Sequence, residues 1–151
     1  MILIRRATDA DRVAIARLHD ASIRALGPSH YTPEEVDSWA AGVRPERYFI
    51  EQEMYVATLG EAVIGFGHYH RGEIAAVYVD PSHIGHGVGR ALLAKLEDVA
   101  RADGATHLHL NAALNSVGFY AACGYAQTTE TVYMTRGGLV IKCALMEKDL
   151  R

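Results

Sequence analysis

The chain has 151 residues, half of them hydrophobic, which fits one domain spanning residues 1–151 around a substantial core. A formal net charge of −3 argues against a nucleic-acid surface, and Cys123 and Cys143 alone make no disulfide framework. There is no basic-then-apolar leader and no apolar run of bilayer length, so a reducing cytoplasm without membrane contact is expected.

Ile2 to Arg6 reads as a first strand. Thr8 and Asp11 then stand in capping-box spacing, with Asp in place of the preferred Glu. The helix that follows is predicted to bury Val13, Ala14, Leu18, Ala21 and Leu26 and to end near Gly27 and Pro28. A second box, Thr32-Pro33-Glu34-Glu35, opens a short helix carrying Val36 and Trp39 and ending near Gly42. Pro45 opens a further helical turn. Met54–Leu59 and Ala62–His70 read as strands joined at Gly60-Glu61. Arg71-Gly72 turns the chain back into a strand over Glu73–Val79.

Between that strand and the next helix lie Pro81 and three glycines at alternate positions, Gly85, Gly87 and Gly89. Glycines there let the backbone turn and bare its amides. The helix start that follows adds unpaired N–H groups and the positive end of a dipole. Such a loop binds anions, most often phosphate. The spacing fails the dinucleotide fingerprint, because Arg90 follows Gly87 by three and Leu92 follows Gly89 by three. It also lacks the Gly-Lys-Ser/Thr triplet of the ATP loop. Val88, Leu92, Leu96 and Val99 line the helix, which stops near Gly104. A strand is expected over Thr106–Leu110, a short helix over Asn115–Cys123 closed by Gly124, and a final hairpin of Tyr125–Met134 and Leu139–Glu147.

The order β-α-α-β-β-β-α-β-α-β-β implies an α/β (α+β) protein with a mixed, mostly antiparallel sheet and one strand–helix–strand crossover. The loop, with its strand and Pro81 before it and its helix after it, resembles the acyl-CoA pyrophosphate loop of the GCN5-related N-acetyltransferase (GNAT) superfamily. Ile84 stands where that pattern usually has Arg or Gln. The segment Asn115-Ser-Val-Gly-Phe119-Tyr120, closed by Gly124-Tyr125, is similar to the family's Asn-x-x-x-Phe-Tyr-x-x-x-Gly-Phe/Tyr motif. Tyr31 to Trp39 and Val140 to Lys148 look like one branch of uncharacterised bacterial members. The resemblance implies the GNAT fold, with about seven strands and about four helices.

It also implies acetyl transfer from acetyl-CoA, as co-substrate, to an amine. The cofactor-binding residues it points to are Val77, Tyr78, Val79, Ile84, Gly85, His86, Gly87, Val88, Gly89, Arg90, Asn115 and Tyr120. The pantetheine arm would lie in a splay between the fourth and fifth strands, with the Val79 amide polarising the thioester carbonyl. Tyr120 matches the family's general acid for the departing thiolate. Glu73 begins the fourth strand, where some members carry a catalytic carboxylate. A two-residue turn would set His70 opposite it, so Glu73 with His70 or His68 is the candidate base. An exposed hairpin ion pair is the plainer reading of the same residues.

Tyr31, Trp39, His68 and His70 are the candidate substrate-binding side chains. Between Glu34 and Glu61, the acidic Glu34, Glu35, Asp37, Glu46, Glu51, Glu53 and Glu61 face only Arg44 and Arg47. That balance favours a cationic acceptor, although a solvated surface would look the same. His68/His70 and His107/His109 have metal-ligand spacing but no completing Cys or acidic cluster, so no metal is expected. A small-molecule amine is the expected partner. A peptide or protein N-terminus, or a CoA-binding sensor without turnover, are the alternatives. The C-terminal hairpin offers an edge strand that a second copy could pair with.

Overall fold

The computed structural model describes residues 1–48 and 53–151, and of Arg47 the backbone only. Glu51 and the Arg47 side chain therefore lie outside the described residues. In chain order the elements are β1 (Ile2–Arg6), α1 (Arg12–Leu26), α2 (Pro33–Ala40), β2 (Met54–Leu59), β3 (Ala62–His70) and β4 (Glu73–Val79). They continue as α3 (Val88–Ala102), β5 (His107–Ala113), α4 (Val117–Ala122), β6 (Ala126–Met134) and β7 (Val140–Asp149). One sheet of seven strands runs β1-β2-β3-β4-β5-β7-β6. Only the β4–β5 pair is parallel.

Both helix starts follow from their boxes. The Thr8 N–H donates to Asp11 at 2.8 Å, and Arg5 clamps the same carboxylate with two bonds of 2.8 and 2.9 Å. At α2 the Glu35 N–H donates to the Thr32 hydroxyl while the Thr32 N–H donates to the Glu35 carboxylate. The buried face of α1 differs from expectation. It consists of Ile15, Ala16, Leu18, Ser22 and Ile23, while Val13 is 59% exposed. The spacing 15, 18, 22 is one helical stripe, but a serine on it hides the stripe from a reading of apolar residues. β5 runs three residues past the expected end, to Ala113. The helix expected from Asn115 is one 3₁₀ turn, Leu114–Ser116, followed by α4.

α3 and α4 pack on one face of the sheet, α1 and α2 on the other. β4 serves both faces through a bulge. Its register with β3 shifts from His68 opposite Ala76 to Tyr69 opposite Ile74, so Ala75 is the extra residue. Ile74 can therefore share the α3 face with Val77 and Val79, while Ala76 and Tyr78 turn towards α1.

β4 and β5 touch only briefly. Their one bridge is Glu73 with His109, reinforced by the His109 N–H donating to the Gly72 carbonyl at 3.1 Å. Beyond it β5 stays paired with β7 through Ala113, so β4 and β5 part and leave a gap in the sheet.

Candidate active site

Alternate residues of an antiparallel strand exchange bonds with one neighbour, and the residues between them face the other way. The Asp80 N–H donates to the Ile64 carbonyl, which makes Gly65–Val79 a non-bonded pair. Val79, and Val77 two residues earlier, accordingly aim their N–H and C=O groups away from β3, into the gap. The gap widens into a cleft of about 510 Å³.

At one mouth stands the glycine loop. Gly85 and Gly87 have φ of +85° and +82°, a conformation that costs other residues roughly 1–2 kcal/mol. Gly87 caps α3 without any side-chain bond, and the first helical bond to reach it comes from the Ala91 N–H. The amides of Val88, Gly89 and Arg90 are thus left for a ligand. A Cβ on Gly89 would lie 3.1 Å from the Phe119 ring, so glycine there lets α3 and α4 converge beneath the cleft.

The same mouth holds the β5–α4 corner. Among the described residues the Asn115 Oδ1, buried on a residue that lines the cleft, has no hydrogen-bond partner. An acceptor so placed suits an N–H of a peptide-like ligand, and a pantetheine arm carries two such groups. Tyr120 also lines the cleft, 7% exposed, its ring edge-on to those of Phe119 and Tyr125. Among the described residues nothing hydrogen-bonds its hydroxyl, and burial pushes its pKa above the phenol range, so it holds its proton. α4 is held in turn by a buried polar cluster. Glu97 accepts from the Tyr125 hydroxyl at 2.8 Å and the Lys148 ammonium at 3.0 Å, and Lys148 also donates to the Cys123 carbonyl.

The other mouth opens towards α1 and α2. Ser22, Ile23, Leu26 and Trp39 line it, with Tyr78. Behind Tyr78 sits His19, ring centroids 4.1 Å apart. The His19 Nδ1 bonds the Tyr48 hydroxyl at 2.8 Å, its buried Nε2 has no partner among the described residues, and burial pushes its pKa down to about 4.

Most of the expected site residues meet here. Val77, Tyr78, Val79, Ile84, Gly85, Gly87, Val88, Gly89, Arg90, Asn115, Tyr120 and Trp39 all line the cleft; His86 does not. Tyr31 is buried and packs edge-on against Trp39 at 5.6 Å. Its hydroxyl donates to the Lys142 carbonyl and accepts from the Leu114 N–H, so it braces the cleft rather than lining it. The turn at Arg71-Gly72 sets His70 opposite Glu73 as expected, at the closed end of the gap beside Ile74. Glu73 itself does not line the cleft, and His70 borders a separate recess with Arg71 and Asp103. His68 does not line the cleft but pairs with Ala76, which does; burial first, and then His70, lowers its pKa, while Glu73 raises it.

Sequence reasoning missed Ser22, Ile23, Leu26 and Asn111 as cleft residues; of the two histidines that flank the glycine loop, His83 lines the cleft and His86 does not. For the α1 residues the available signal was the stripe that Ser22 interrupts. Half of the described acidic stretch is committed elsewhere: Asp37 pairs with Arg24, Glu35 caps α2 and Glu53 bonds Tyr55, while Glu34, Glu46 and Glu61 are exposed and none of the six lines the cleft. Among the described residues no group of three or more His, Cys, Asp or Glu is gathered as metal ligands, and no helix is long and apolar enough to cross a membrane.

The sheet parts after one parallel bridge and leaves bare amides at a helix start and along the gap, facing one cleft between two strands. The chain belongs to the acetyltransferase (GNAT) family, whose model matches residues 15–125. It superposes on the GCN5-related N-acetyltransferase of Rhodopseudomonas palustris with a TM-score of 0.92, at 28% identity over 98% of this chain and 95% of that one. PaiA N-acetyltransferase of Thermoplasma acidophilum, solved with coenzyme A, shares the fold at a TM-score of 0.76 and 22% identity, over 99% of both chains. YncA of Salmonella typhimurium, solved with acetyl-CoA, shares it at 0.67 and 21%, over 100% of this chain and 95% of that one. No curated protein sequence matches the chain.

Proposed function

We propose that the protein moves the acetyl group of acetyl-CoA onto the primary amine of a small molecule, by direct attack with both substrates bound. The observation that carries this reading is the cleft itself. It joins a mouth of free amides, the orphaned Asn115 Oδ1 and a free tyrosine hydroxyl to a second mouth walled by α1 and α2. The glycine loop and the first turn of α3 would hold the pyrophosphate, with Val77 and Asn115 along the pantetheine arm. Trp39 and α1 close over the second mouth, which suits a small acceptor better than a folded protein's N-terminus.

Acetyl-CoA supplies an activated thioester. The protein's task is to orient it and move two protons. The Val79 N–H faces the gap, where it can donate to the carbonyl oxygen as negative charge develops. The amine nitrogen bonds to the carbonyl carbon and the carbon–sulfur bond breaks. The proton lost by nitrogen passes through water to His68, whose lowered pKa keeps it neutral near pH 7, with Glu73 beside it. Tyr120 gives its proton to the departing thiolate. An ordinary phenol near ~10 is already a weak donor to a thiol near ~8.5, and burial raises Tyr120 further, so position rather than driving force must supply the advantage. A sensor without turnover would have no use for that free hydroxyl.

The test is thiol release from acetyl-CoA over a panel of amines, amino acids and short peptides, with calorimetry on acetyl-CoA alone. Tyr120→Phe should lower kcat about a hundredfold and leave acetyl-CoA affinity within about twofold. Undiminished turnover in the variant would remove Tyr120 from the chemistry. Glu73→Gln with an unchanged pH–rate profile would remove Glu73.

A further inference from the structure

The acetyl-transfer reading leaves the acceptor unspecified, and the second mouth bears on it. Its walls are the side chains of Ile23, Leu26, Trp39 and Tyr78; Ser22 is polar, and the cleft is also lined by Asn111 and by His83, on a turn that packs against α1, neither of which brings a negative charge. Among the described residues lining the cleft there is no Asp or Glu, and its one Arg, Arg90, stands at the glycine loop. Of the carboxylates nearby in sequence, Glu34 is exposed and does not line the cleft, and two others are engaged. Asp37 pairs with Arg24 at 2.8 Å, and Glu35 accepts from the Thr32 N–H at 2.9 Å.

A cation pushed against such walls loses its water and meets no counter-charge, which is strongly unfavourable. The reacting nitrogen escapes that cost, because it must be neutral to attack and, on the transfer reading, gives up its proton through water to His68. A second ammonium on the same molecule has no such route. Resting on the transfer reading above, we infer that the acceptor is a monoamine with an aliphatic or aromatic skeleton. Ile23, Leu26, Trp39 and Tyr78 take the skeleton and exclude polyamines and cationic peptides. The acidic balance between Glu34 and Glu61 does not recruit the acceptor.

The experiment compares hexylamine with 1,6-diaminohexane, a pair of equal length that differs in one ammonium. Binding is measured by calorimetry on the protein saturated with desulfo-CoA, which lacks the sulfur and cannot react. Hexylamine, and phenethylamine with it, should bind at least about tenfold more tightly than the diamine. Equal or tighter binding of the diamine overturns the inference, as does failure of every amine to bind. Leu26→Glu sets a carboxylate at the rim, where Leu26 is already 37% exposed. It should shrink the preference to less than about threefold or reverse it, while Leu26→Gln keeps it. An unchanged ratio in Leu26→Glu with normal desulfo-CoA binding overturns the assignment of this wall. Turnover is read separately with acetyl-CoA. Tight hexylamine binding without any acetylation supports the assignment and defeats the transfer reading, whereas turnover favouring the diamine does the reverse.

Discussion

The two mouths of the cleft are built from different materials. The cofactor mouth is mostly backbone: the amides of Val88, Gly89 and Arg90 and the inward groups of Val77 and Val79, with few side chains among them. The acceptor mouth is almost wholly side chain, brought together from α1, α2 and the bulged strand β4. Backbone recognition suits a ligand that never changes. Side-chain recognition can be rewritten by substitution while the frame stays. The contrast predicts that damage at the cofactor mouth acts through the fold, and damage at the acceptor mouth through specificity and titration.

The largest effect on stability is expected where α4 is anchored. Glu97 is 8% exposed and relies on Lys148 and Tyr125. Lys148→Met removes the ammonium and the bond to the Cys123 carbonyl, leaving a buried carboxylate with one neutral partner. A loss of about 3 kcal/mol is expected in urea denaturation. Glu97→Gln in the same chain should recover much of it, because a neutral amide asks less of the site. A Lys148→Met protein as stable as the wild type would mean that α4 is held by packing alone.

Next is a pH effect confined to the acceptor side. The folded protein holds His19 neutral, with its pKa near 4 against 6.5 ordinarily. As pH falls below 6.5 the unfolded chain takes up a proton that the folded one refuses. Stability therefore declines down to about pH 4 and levels off below it. Over that window the wild type should lose on the order of 2 kcal/mol more than His19→Gln, measured by denaturation at a series of pH values. Parallel curves would mean that water reaches the ring.

How much of this was legible beforehand follows the same division. The glycine loop, the Asn115–Tyr120 segment and both capping boxes are local signals, each complete within a few residues, and each lies where the sequence put it. The hairpin register was legible too, because a two-residue turn fixes which residue faces which: His70 opposite Glu73. The acceptor walls were not. Ile23 and Leu26 meet Tyr78 only after α1 has packed across the sheet, and Ser22 broke the apolar stripe that would have oriented the helix. The bulge at Ala75, which lets Ile74 and Ala76 serve opposite faces, has no signature among plain strand residues. Acidic residues between Glu34 and Glu61 suggested a cationic guest; the use of Glu35 in the α2 cap was legible in its box, whereas the pairing of Asp37 with Arg24 appears only in three dimensions.

Gly87→Val attacks the cofactor mouth directly. Nothing lies within 4 Å of a Cβ there, so the whole penalty is the backbone at φ +82°. For a β-branched residue that is roughly 1–2 kcal/mol, relieved only by reshaping the loop. Acetyl-CoA affinity should fall about tenfold by calorimetry, with the amine preference unchanged. Loss of preference together with affinity would show that the mouths are not independent.

Tyr31→Phe gives the smallest effect and the sharpest test of that independence. Its hydroxyl joins the start of the α2 segment to the Leu114 N–H, one residue before Asn115, and to the Lys142 carbonyl on β7. Burial raises its pKa to about 12, so it remains a donor throughout the working range. Phenylalanine keeps the ring against Trp39 but leaves a backbone N–H and a carbonyl without their partner. A stability loss of about 1–2 kcal/mol is expected. The informative readout is kinetic. If the brace sets only the lid, KM for the amine rises and KM for acetyl-CoA holds. If it also fixes Asn115, both rise two- to fivefold together, at roughly 0.4–1 kcal/mol each, with kcat little changed. The second outcome is expected, because Tyr31 bonds the 3₁₀ turn that carries Asn115 as well as the strand beneath α2.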